Sequence, residues 1–325
     1  MPSDAPQLSV VVPCYNEELV LAALHQRLTD VCRAQRVDYE IVLVNDGSRD
    51  GTWPMMEALA AEDSHLVCVN LSRNHGHQLA LTAGLQLCRG KRVLIIDADL
   101  QDPPELLPQM MARMDAGVDV VYGQRRTRQG ESRFKLLTAK TFYRLLEWLT
   151  DVPIPRDTGD FRLISRRALD VLLAMPERSR FLRGMVSWIG FRQEPLLYDR
   201  AARLAGETKY PFFKMFRFAV DAITSFSIKP LTLATWVGFG SGACALVLCA
   251  YAVIGWLLGQ TVAGWASLMA VVTLLASLQF LVLGVFGEYL GRLCAESKGR
   301  PLFIVERVVG GQAAERPMLA SRRAA

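Results

Sequence analysis

At residues 92–105 the chain reads RVLIIDADLQDPPE, an apolar run followed by two aspartates and a polar segment that contains two prolines. The run is apolar on both faces, which predicts a strand buried inside a sheet. Residues two apart in an extended chain point to the same side, so Asp97 and Asp99 are expected to face one cation together. Carboxylate oxygens are ligands that Mg²⁺ and Mn²⁺ prefer. A loop cap is the alternative interpretation, but the buried strand before the pair favours a metal site.

Four more short apolar runs of this kind surround the strand, and segments with helical spacing lie between them. The apolar runs are 8–13, 40–45, 66–70 and 118–122, and the helical segments include 19–34 and 78–87. Strands apolar on both faces that alternate with helices predict a mostly parallel sheet covered on both sides. Ligands of such sheets bind beyond the carboxyl ends of the strands, so the polar residues there are predicted to share one rim. These residues are Asn16, Glu17, Asp46, Asp97 and Asp99.

Three other polar positions have both a structural and a functional interpretation. Asp46 begins an Asp-Gly-Ser sequence that is typical of a turn, and a turn at the rim also suits contact with a base or ribose. His75 and His77 suggest a metal pair, but no matching carboxylate lies near them in the sequence, which favours a structural role. Asp160 precedes a predicted strand at 161–165 and is either a capping residue or a carboxylate close to a reacting centre.

Two long uncharged segments predict membrane spans in a chain whose mean hydropathy is +0.20. Residues 233–258 and 266–287 each exceed the roughly 20 residues that a helix needs to cross a bilayer. Buried core helices are disfavoured because both segments are apolar on every face. Basic residues flank the pair, whereas the loop at 260–265 is uncharged, so the positive-inside rule places both chain ends in the cytoplasm. An amphipathic pattern at 210–228 predicts a helix on the membrane surface, with a core-facing helix as the alternative.

Composition excludes several other classes. A hydrophobic content of 51% over 325 residues excludes a disordered chain, and the short first apolar run gives no secretory signal. Seven cysteines without CxxC pairing indicate reduced thiols rather than disulfides or a zinc site. Residues 125–140 hold six basic side chains against one acidic side chain, a cluster that suits phosphate, anionic lipid or nucleic acid. A solvated helix face is the structural alternative for this cluster.

As a set, the motifs resemble family 2 glycosyltransferases, and more narrowly the polyprenyl-phosphate sugar transferases: bactoprenol glucosyltransferases and dolichol-phosphate mannose synthases. The similar segments are PCYNEE at 13–18, VNDGSRDGT at 44–52, DADLQDPPE at 97–105, YGQR at 122–125, DTGDFRL at 157–163 and AGETKYP at 205–211. After the spans, GEYLGRL at 287–293 and KGRP at 298–301 resemble the bactoprenol branch. His75 departs from the pattern, since such proteins often carry an aromatic residue there.

This resemblance implies a GT-A fold and a role for each matched residue. The implied domains are a catalytic domain at 1–209, a juxtamembrane amphipathic helix at 210–231, two transmembrane helices at 232–290 and a cytoplasmic tail at 291–325. Nucleotide-sugar contacts would come from Pro13, Tyr15, Glu17, Asp46 and Asp97, and Asp97, Asp99 and Gln101 would hold Mg²⁺ or Mn²⁺. The acceptor phosphate or donor diphosphate would be bound by Arg125, Arg133, Arg203 and Lys209. Asp160 occupies the position of the catalytic base in relatives, and Asp99 and Arg125 complete the expected catalytic set.

The function implied by the resemblance is inverting transfer of a sugar to undecaprenyl phosphate at the cytoplasmic face of a bacterial inner membrane. UDP-glucose is the preferred donor, with UDP-GlcNAc, other UDP-sugars and GDP-mannose left open. A homo-oligomer is expected, and nucleic acid is not an expected partner. One alternative is a processive polysaccharide synthase, although the chain lacks the Gln-x-x-Arg-Trp signature typical of that class. The other is a non-catalytic subunit of a lipid-sugar flippase, for which two spans without ionisable residues form a poor path.

Overall fold

The computed structural model describes residues 5–126, 155, 158–199, 229–259 and 264–311. Arg133, Arg203 and Lys209 lie outside the described residues, as do most of the basic segment and most of the predicted amphipathic helix. The described chain divides into two compact units. The first contains residues 5–126, 155, 158–199 and 300–311, and the second contains residues 229–259 and 264–299.

The first unit is built on one mixed sheet. Its strands are β1 (Leu8–Cys14), β2 (Tyr39–Asn45), β3 (Leu66–Leu71), β4 (Arg92–Ile95), β5 (Val120–Arg125), β6 (Thr158–Ser165), β7 (Gln193–Tyr198) and β8 (Val305–Val309), in the order β7-β5-β6-β4-β1-β2-β3-β8. Strands β4, β1, β2 and β3 run parallel, and β5 runs parallel to β7. Strand β6 is antiparallel to β4 and β5, and β8 is antiparallel to β3. The predicted α/β class, a mostly parallel sheet of the GT-A type flanked by helices, is confirmed.

Helices connect the strands of this sheet. They are α1 (Glu18–Ala34), α2 (Thr52–Glu62), α3 (His77–Leu87), α4 (Leu107–Asp115), α5 (Arg166–Ala174) and α6 (Leu182–Trp188), with a short 3₁₀ turn at Pro104–Leu106. In α1, Leu21, Leu24 and Leu28 recur at helical spacing and are buried in one core with strand residues of β1 and β2. Every residue of β1 and β2 is buried, as expected for central strands covered on both faces.

The antiparallel strand β6 determines where the functional residues meet. Its register with β4 pairs Arg92 with Ser165 and Ile95 with Arg162. Continuing that register by two residues sets Asp97 opposite Asp160. Two aspartates far apart in the sequence are therefore brought together by strand pairing, at the carboxyl end of β4 and the beginning of β6.

After the second unit, the chain returns to the sheet through a strand that the sequence analysis does not predict. Phe303 is 2% exposed, and the carbonyl of Ile304 accepts the backbone N–H of Ser72 at 3.0 Å. Strand β8 then pairs with β3, and Arg307 forms an ion pair with Glu57 at 2.8 Å. The segment expected to be a tail thus supplies an edge strand.

The second unit consists of two long helices that contact each other, α7 (Lys229–Leu257) and α8 (Trp265–Ser297). Each contains a 27-residue stretch apolar enough to cross a membrane, Lys229–Gly255 and Val271–Ser297. Large apolar side chains on both helices are exposed, with Leu246 and Phe280 each 73% exposed. Length and composition therefore agree with the predicted pair of spans.

Candidate active site

The loops that follow β1 and β2 are joined at the carboxyl rim of the sheet. The backbone N–H of Asn16 donates to Ser48 Oγ at 3.0 Å, and the backbone N–H of Arg49 donates to Asn16 Oδ1 at 2.9 Å. Asn16 has a φ of 57°, a left-handed conformation that asparagine tolerates better than most residues. The residues predicted to contact the nucleotide flank this junction: Pro13 is buried, Glu17 is half-buried and Tyr15 is 39% exposed.

Asp46 lies in the turn after β2 and is 2% exposed. Its two carboxylate oxygens accept the backbone N–H groups of His75 at 2.7 Å and Gly76 at 2.9 Å. Burial raises the pKa of Asp46, and these two hydrogen bonds oppose the rise. The turn requires glycine next, because Gly47 has a φ of +64° and a Cβ there would lie 2.5 Å from the backbone nitrogen of Asn74. Asp46 therefore fixes the loop that leads into α3, while its predicted contact with a nucleotide stays a prediction.

The segment that contains Asp97 and Asp99 turns immediately after its strand. Strand β4 ends at Ile95, and Ala98 and Asp99 lie in a turn, so the extended conformation expected for this pair is wrong. Asp99 accepts the backbone N–H of Gln101 at 3.2 Å. Burial raises the pKa of Asp97, and the negative charge of Asp99 adds to this rise, so the two carboxylates are close enough to interact electrostatically.

Three side chains gather where β4 ends and β6 begins; we call His77, Asp97 and Asp160 the acid cluster. One ligand atom of each lies within 4.8 Å of the ligand atoms of the other two. His77 Nε2 is 3.1 Å from Asp160 Oδ2 and 3.5 Å from Asp97 Oδ1. Since His77 begins α3, the cluster is assembled from a helix and two strand ends.

Asp160 is 2% exposed, and both of its carboxylate oxygens accept hydrogen bonds. Arg183 Nε donates to Oδ1 at 2.9 Å, Gln78 Nε2 donates to Oδ2 at 2.9 Å, and the buried Arg162 guanidinium lies 3.9 Å from Oδ1. Burial alone would raise the pKa of Asp160, but the charge of Arg183 and the hydrogen bonds from His77 and Arg183 outweigh it and hold this pKa well below its usual range. A carboxylate bound in this way is a weak base, so orienting other groups suits it better than removing a proton.

Asp97 is in the opposite electrostatic situation. Burial raises its pKa to about 6, neighbouring carboxylates such as Asp160 and Asp102 add to the rise, and His77 opposes it. Its Oδ1 atom is buried and has no hydrogen-bond partner among the described residues. A buried carboxylate oxygen without a donor is costly unless a cation compensates it. The site therefore fits a divalent ion, and the oxygen ligands around it suit Mg²⁺ or Mn²⁺.

A cationic group lies on the other side of β6. A Cβ built on Gly159 would be 3.2 Å from Arg125 Nη2, so this guanidinium lies against the backbone next to Asp160. The Tyr198 hydroxyl, which also contacts Arg125, donates to Asp102. Arg125 Nε is buried and has no acceptor among the described residues. A buried guanidinium N–H of this kind is available to an anion such as a phosphate.

The structure thus brings together some of the predicted site residues and adds three that sequence reasoning missed. His77, Gln78 and Arg183 contact Asp160 but were not among the predicted site residues. His77 was given little weight because no carboxylate is close in sequence, and its partner Asp160 lies 83 residues away. No motif singles out Gln78 or Arg183, so the pairing of β4 with β6 was needed to find them.

The chain is similar to a known protein family, to individual relatives and to a solved structure. The family described as Glycosyl transferase family 2 matches residues 9–173. The chain is 45% identical over 307 residues to the uncharacterized glycosyltransferase YkcC of Bacillus subtilis, covering 94% of each chain. It is 37% identical over 303 residues to the prophage bactoprenol glucosyl transferase homolog of Escherichia coli, covering 93% of this chain and 99% of that one. It is also similar to the structure of S. aureus TarS 1-349 with UDP-GlcNAc, at 20% identity and a TM-score of 0.47, covering 67% of this chain and 66% of that one.

Proposed function

The chain belongs to glycosyltransferase family 2, and from that membership we propose that it transfers a sugar from a nucleotide diphosphate sugar to a polyprenyl phosphate. UDP-glucose is the proposed donor and undecaprenyl phosphate the proposed acceptor. The acceptor follows from the E. coli relative, whose name is that of a bactoprenol glucosyl transferase homolog and which aligns over nearly its whole length. The reaction proposed is a single displacement that inverts the anomeric carbon.

The observation that carries this proposal is a pair of buried atoms without hydrogen-bond partners, one in an acidic and one in a basic side chain, near Asp160. Asp97 Oδ1 has no donor and Arg125 Nε has no acceptor among the described residues. A cation and an anion arriving together would satisfy both, and a metal-bound diphosphate is such a pair. The binding of a nucleotide diphosphate sugar explains both groups at once.

We infer that Asp97 and Asp99, with Gln101, hold a Mg²⁺ or Mn²⁺ ion, and that His77, whose Nε2 lies 3.5 Å from Asp97 Oδ1, is a further candidate ligand. Asp160 is less suited as a ligand because Arg183 and Gln78 already occupy its oxygens. When bound, such an ion supplies positive charge that stabilises the leaving diphosphate.

The remaining charges are arranged to keep two phosphorylated substrates together. Two anionic substrates repel each other, so positive side chains near both are required. Arg125 is proposed to bind one of them, and Arg133, Arg203 and Lys209 are proposed to assist. Asp160 is a poor general base, since its oxygens accept hydrogen bonds from Arg183 and Gln78 and its pKa is held well below its usual range by the charge of Arg183 and by hydrogen bonds that outweigh burial. A phosphate acceptor is already ionised near neutral pH and needs no such base.

The second unit suits the lipid substrate. Two apolar helices of sufficient length supply a membrane anchor, and a polyprenyl phosphate keeps its chain in the bilayer and its phosphate at the surface. The proposed location is the inner membrane of a bacterium, with the sheet in the cytoplasm. A homo-oligomer remains part of the proposal.

The test is release of UDP by the purified full chain in detergent with Mn²⁺. We expect release from UDP-glucose only when undecaprenyl phosphate is present, and none with undecaprenol, the matched lipid that lacks the phosphate. UDP-GlcNAc and GDP-mannose, assayed in parallel, identify the sugar and base. A polymer formed with donor alone would instead favour a polysaccharide synthase, and no release of UDP or GDP from any of the donors would favour a non-catalytic subunit.

A further inference from the structure

Gln78, the second residue of α3, makes two hydrogen bonds that connect the elements on either side of Asp160. Its side-chain Nε2 donates to Asp160 Oδ2 at 2.9 Å, and its Oε1 accepts the backbone N–H of Leu182 at 3.1 Å. The orientation of the amide is determined by its partners, because a carboxylate only accepts and a backbone N–H only donates. An amide is the side-chain group that can serve both partners at once.

The bond to Leu182 fixes the beginning of α6. The first N–H groups of a helix have no partner within the helix, and Leu182 is the first residue of α6. The next residue, Arg183, donates from Nε to Asp160 Oδ1 at 2.9 Å. Asp160, Gln78 and the start of α6 therefore form a closed ring of hydrogen bonds, in which each carboxylate oxygen is held from a different helix.

The beginning of α3 is itself fixed from the opposite side. The buried carboxylate of Asp46 accepts the backbone N–H groups of His75 and Gly76, the two residues immediately before α3. His77 and Gln78 follow directly and both contact Asp160. The helix start is thus held between Asp46 in the turn after β2 and Asp160 at the beginning of β6.

We propose that Gln78 is a positioning residue that acts through Asp160: it fixes this carboxylate and the α6 arginine relative to the reaction centre. The proposal rests on the proposed function, since it concerns the same site. Gln78 is not expected to bind the donor tightly, so its loss should lower kcat much more than it raises the KM of the donor. Because Gln78 acts through one partner, its effect should depend on that partner.

The test is a double-mutant cycle on the full chain, with Gln78→Met, Asp160→Asn and the double variant assayed for UDP release. Gln78→Met is expected to lower kcat by about 10-fold, a typical effect of losing a hydrogen bond to a charged group, and to change the donor KM by less than about threefold. In the Asp160→Asn background the same substitution should change kcat by less than about twofold. Gln86→Met, on the same helix and half-exposed, is the matched control and should leave kcat unchanged.

Two further measurements keep the test decisive. If Gln78→Met does not fold, Gln78→Glu keeps the acceptor for Leu182 but sets a second carboxylate against Asp160 in place of the donor, and a loss of kcat at least as large is expected. If Asp160→Asn has no turnover, the coupling is read from the thermal unfolding midpoint, which Gln78→Met should lower with Asp160 present and leave nearly unchanged in the Asp160→Asn background. Wild-type kcat in Gln78→Met, or equal effects in both backgrounds, would overturn the inference. A wild-type chain that releases no UDP would overturn the proposed function instead.

Discussion

Asp97 and Asp160 lie opposite each other across two strands, yet their surroundings act on them in opposite directions. The pKa of Asp160 is held well below its usual range, because Arg183 and its hydrogen bonds outweigh burial. Burial raises the pKa of Asp97 to about 6, and its Oδ1 has no hydrogen-bond partner among the described residues. A divalent ion would compensate this oxygen, from which His77 Nε2 lies 3.5 Å away, whereas Asp160 already accepts hydrogen bonds on both oxygens. The two carboxylates should respond differently to substitution.

Substitution of the proposed metal ligands should be far more damaging than substitution of Asp160. We expect Asp97→Asn and Asp99→Ala to lower kcat by roughly 10³-fold or more, since the charge that stabilises the leaving group is lost. Asp160→Asn should retain measurable turnover, on the order of 10- to 100-fold below wild type, because a phosphate acceptor needs no base. Release of UDP with added Mn²⁺ measures all three. Full turnover by Asp99→Ala, or by the wild type after chelation of metal, would contradict the metal assignment.

Arg125 gives a second prediction, because its buried Nε has no acceptor among the described residues. Arg125→Met keeps much of the side-chain length but removes the charge, and should reduce kcat/KM by about 10- to 100-fold, as expected for losing a charge-assisted bond to phosphate. Titrations of donor and of lipid phosphate in the UDP-release assay would show which KM changes. Arg33→Met, an exposed arginine in the last turn of α1, is the matched control and should behave as wild type. Equal activities of the two variants would remove Arg125 from the site.

Among the elements, strand β8 is preceded by a fully buried aromatic side chain, which makes its packing testable. Phe303 precedes the strand and is 2% exposed, whereas its neighbour Ile304 is 53% exposed. Phe303→Ala should lower the free energy of unfolding by about 3–5 kcal/mol, the usual result of removing a buried aromatic ring. Ile304→Ala, the control, should change it by less than about 0.5 kcal/mol. Thermal or urea unfolding in detergent gives both values, and equal stability of the two variants would contradict the observed packing.

The elements also show what local sequence can and cannot predict. The runs at 8–13, 40–45 and 66–70 are strands within one residue of the predicted ends, because each strand is apolar on both faces and ends in turn residues. Strand β8 was not predicted, since Val305-Glu-Arg-Val-Val309 alternates weakly and lies at the sheet edge. The segment Asp97–Asp99 was predicted to be extended because it directly follows a buried apolar run, but the pairing of β4 with β1 ends at Ile95, and Ala98 and Asp99 lie in a turn. Periodicity identifies a strand but does not identify its neighbour.

The same limit of local patterns explains why only part of the candidate site could be predicted from the sequence. The aspartates at the ends of β2 and β4 were predicted from their position after apolar runs. The contact of His77 with Asp160 depends on β6 entering the sheet antiparallel beside β4, which no local pattern reports. Residues that act through long-range contacts, such as Gln78 and Arg183, are therefore found only in the folded chain.

For the molecule as a whole, the order of the chain limits how the two proposed spans can cross a membrane. Sheet residues precede α7, and β8 follows α8 and pairs with β3 in the same sheet. Strands β7 and β8 precede and follow the helical pair in the chain, and both belong to one sheet. The chain between these two strands must therefore cross a membrane an even number of times. The two candidate spans among the described residues are an even number, and the basic residues Lys229, Arg292 and Lys298 lie near the ends of the pair that the positive-inside rule assigns to the cytoplasm.

Reporter fusions test whether both ends of the helical pair lie in the cytoplasm. Green fluorescent protein fused after Ala325 should fluoresce, because it folds in the cytoplasm, and alkaline phosphatase at the same position should be inactive. The reciprocal fusions, made after Gly259 in the connection between the helices, should give active phosphatase and no fluorescence, since that connection carries no charge to hold it in the cytoplasm. Fusions to the same chain with Lys229, Arg292 and Lys298 changed to glutamine should weaken this contrast, because the positive charge that sets the orientation is reduced. Active phosphatase at Ala325 in the unaltered chain would contradict a cytoplasmic C-terminal end and, because β8 pairs with β3, a cytoplasmic sheet as well.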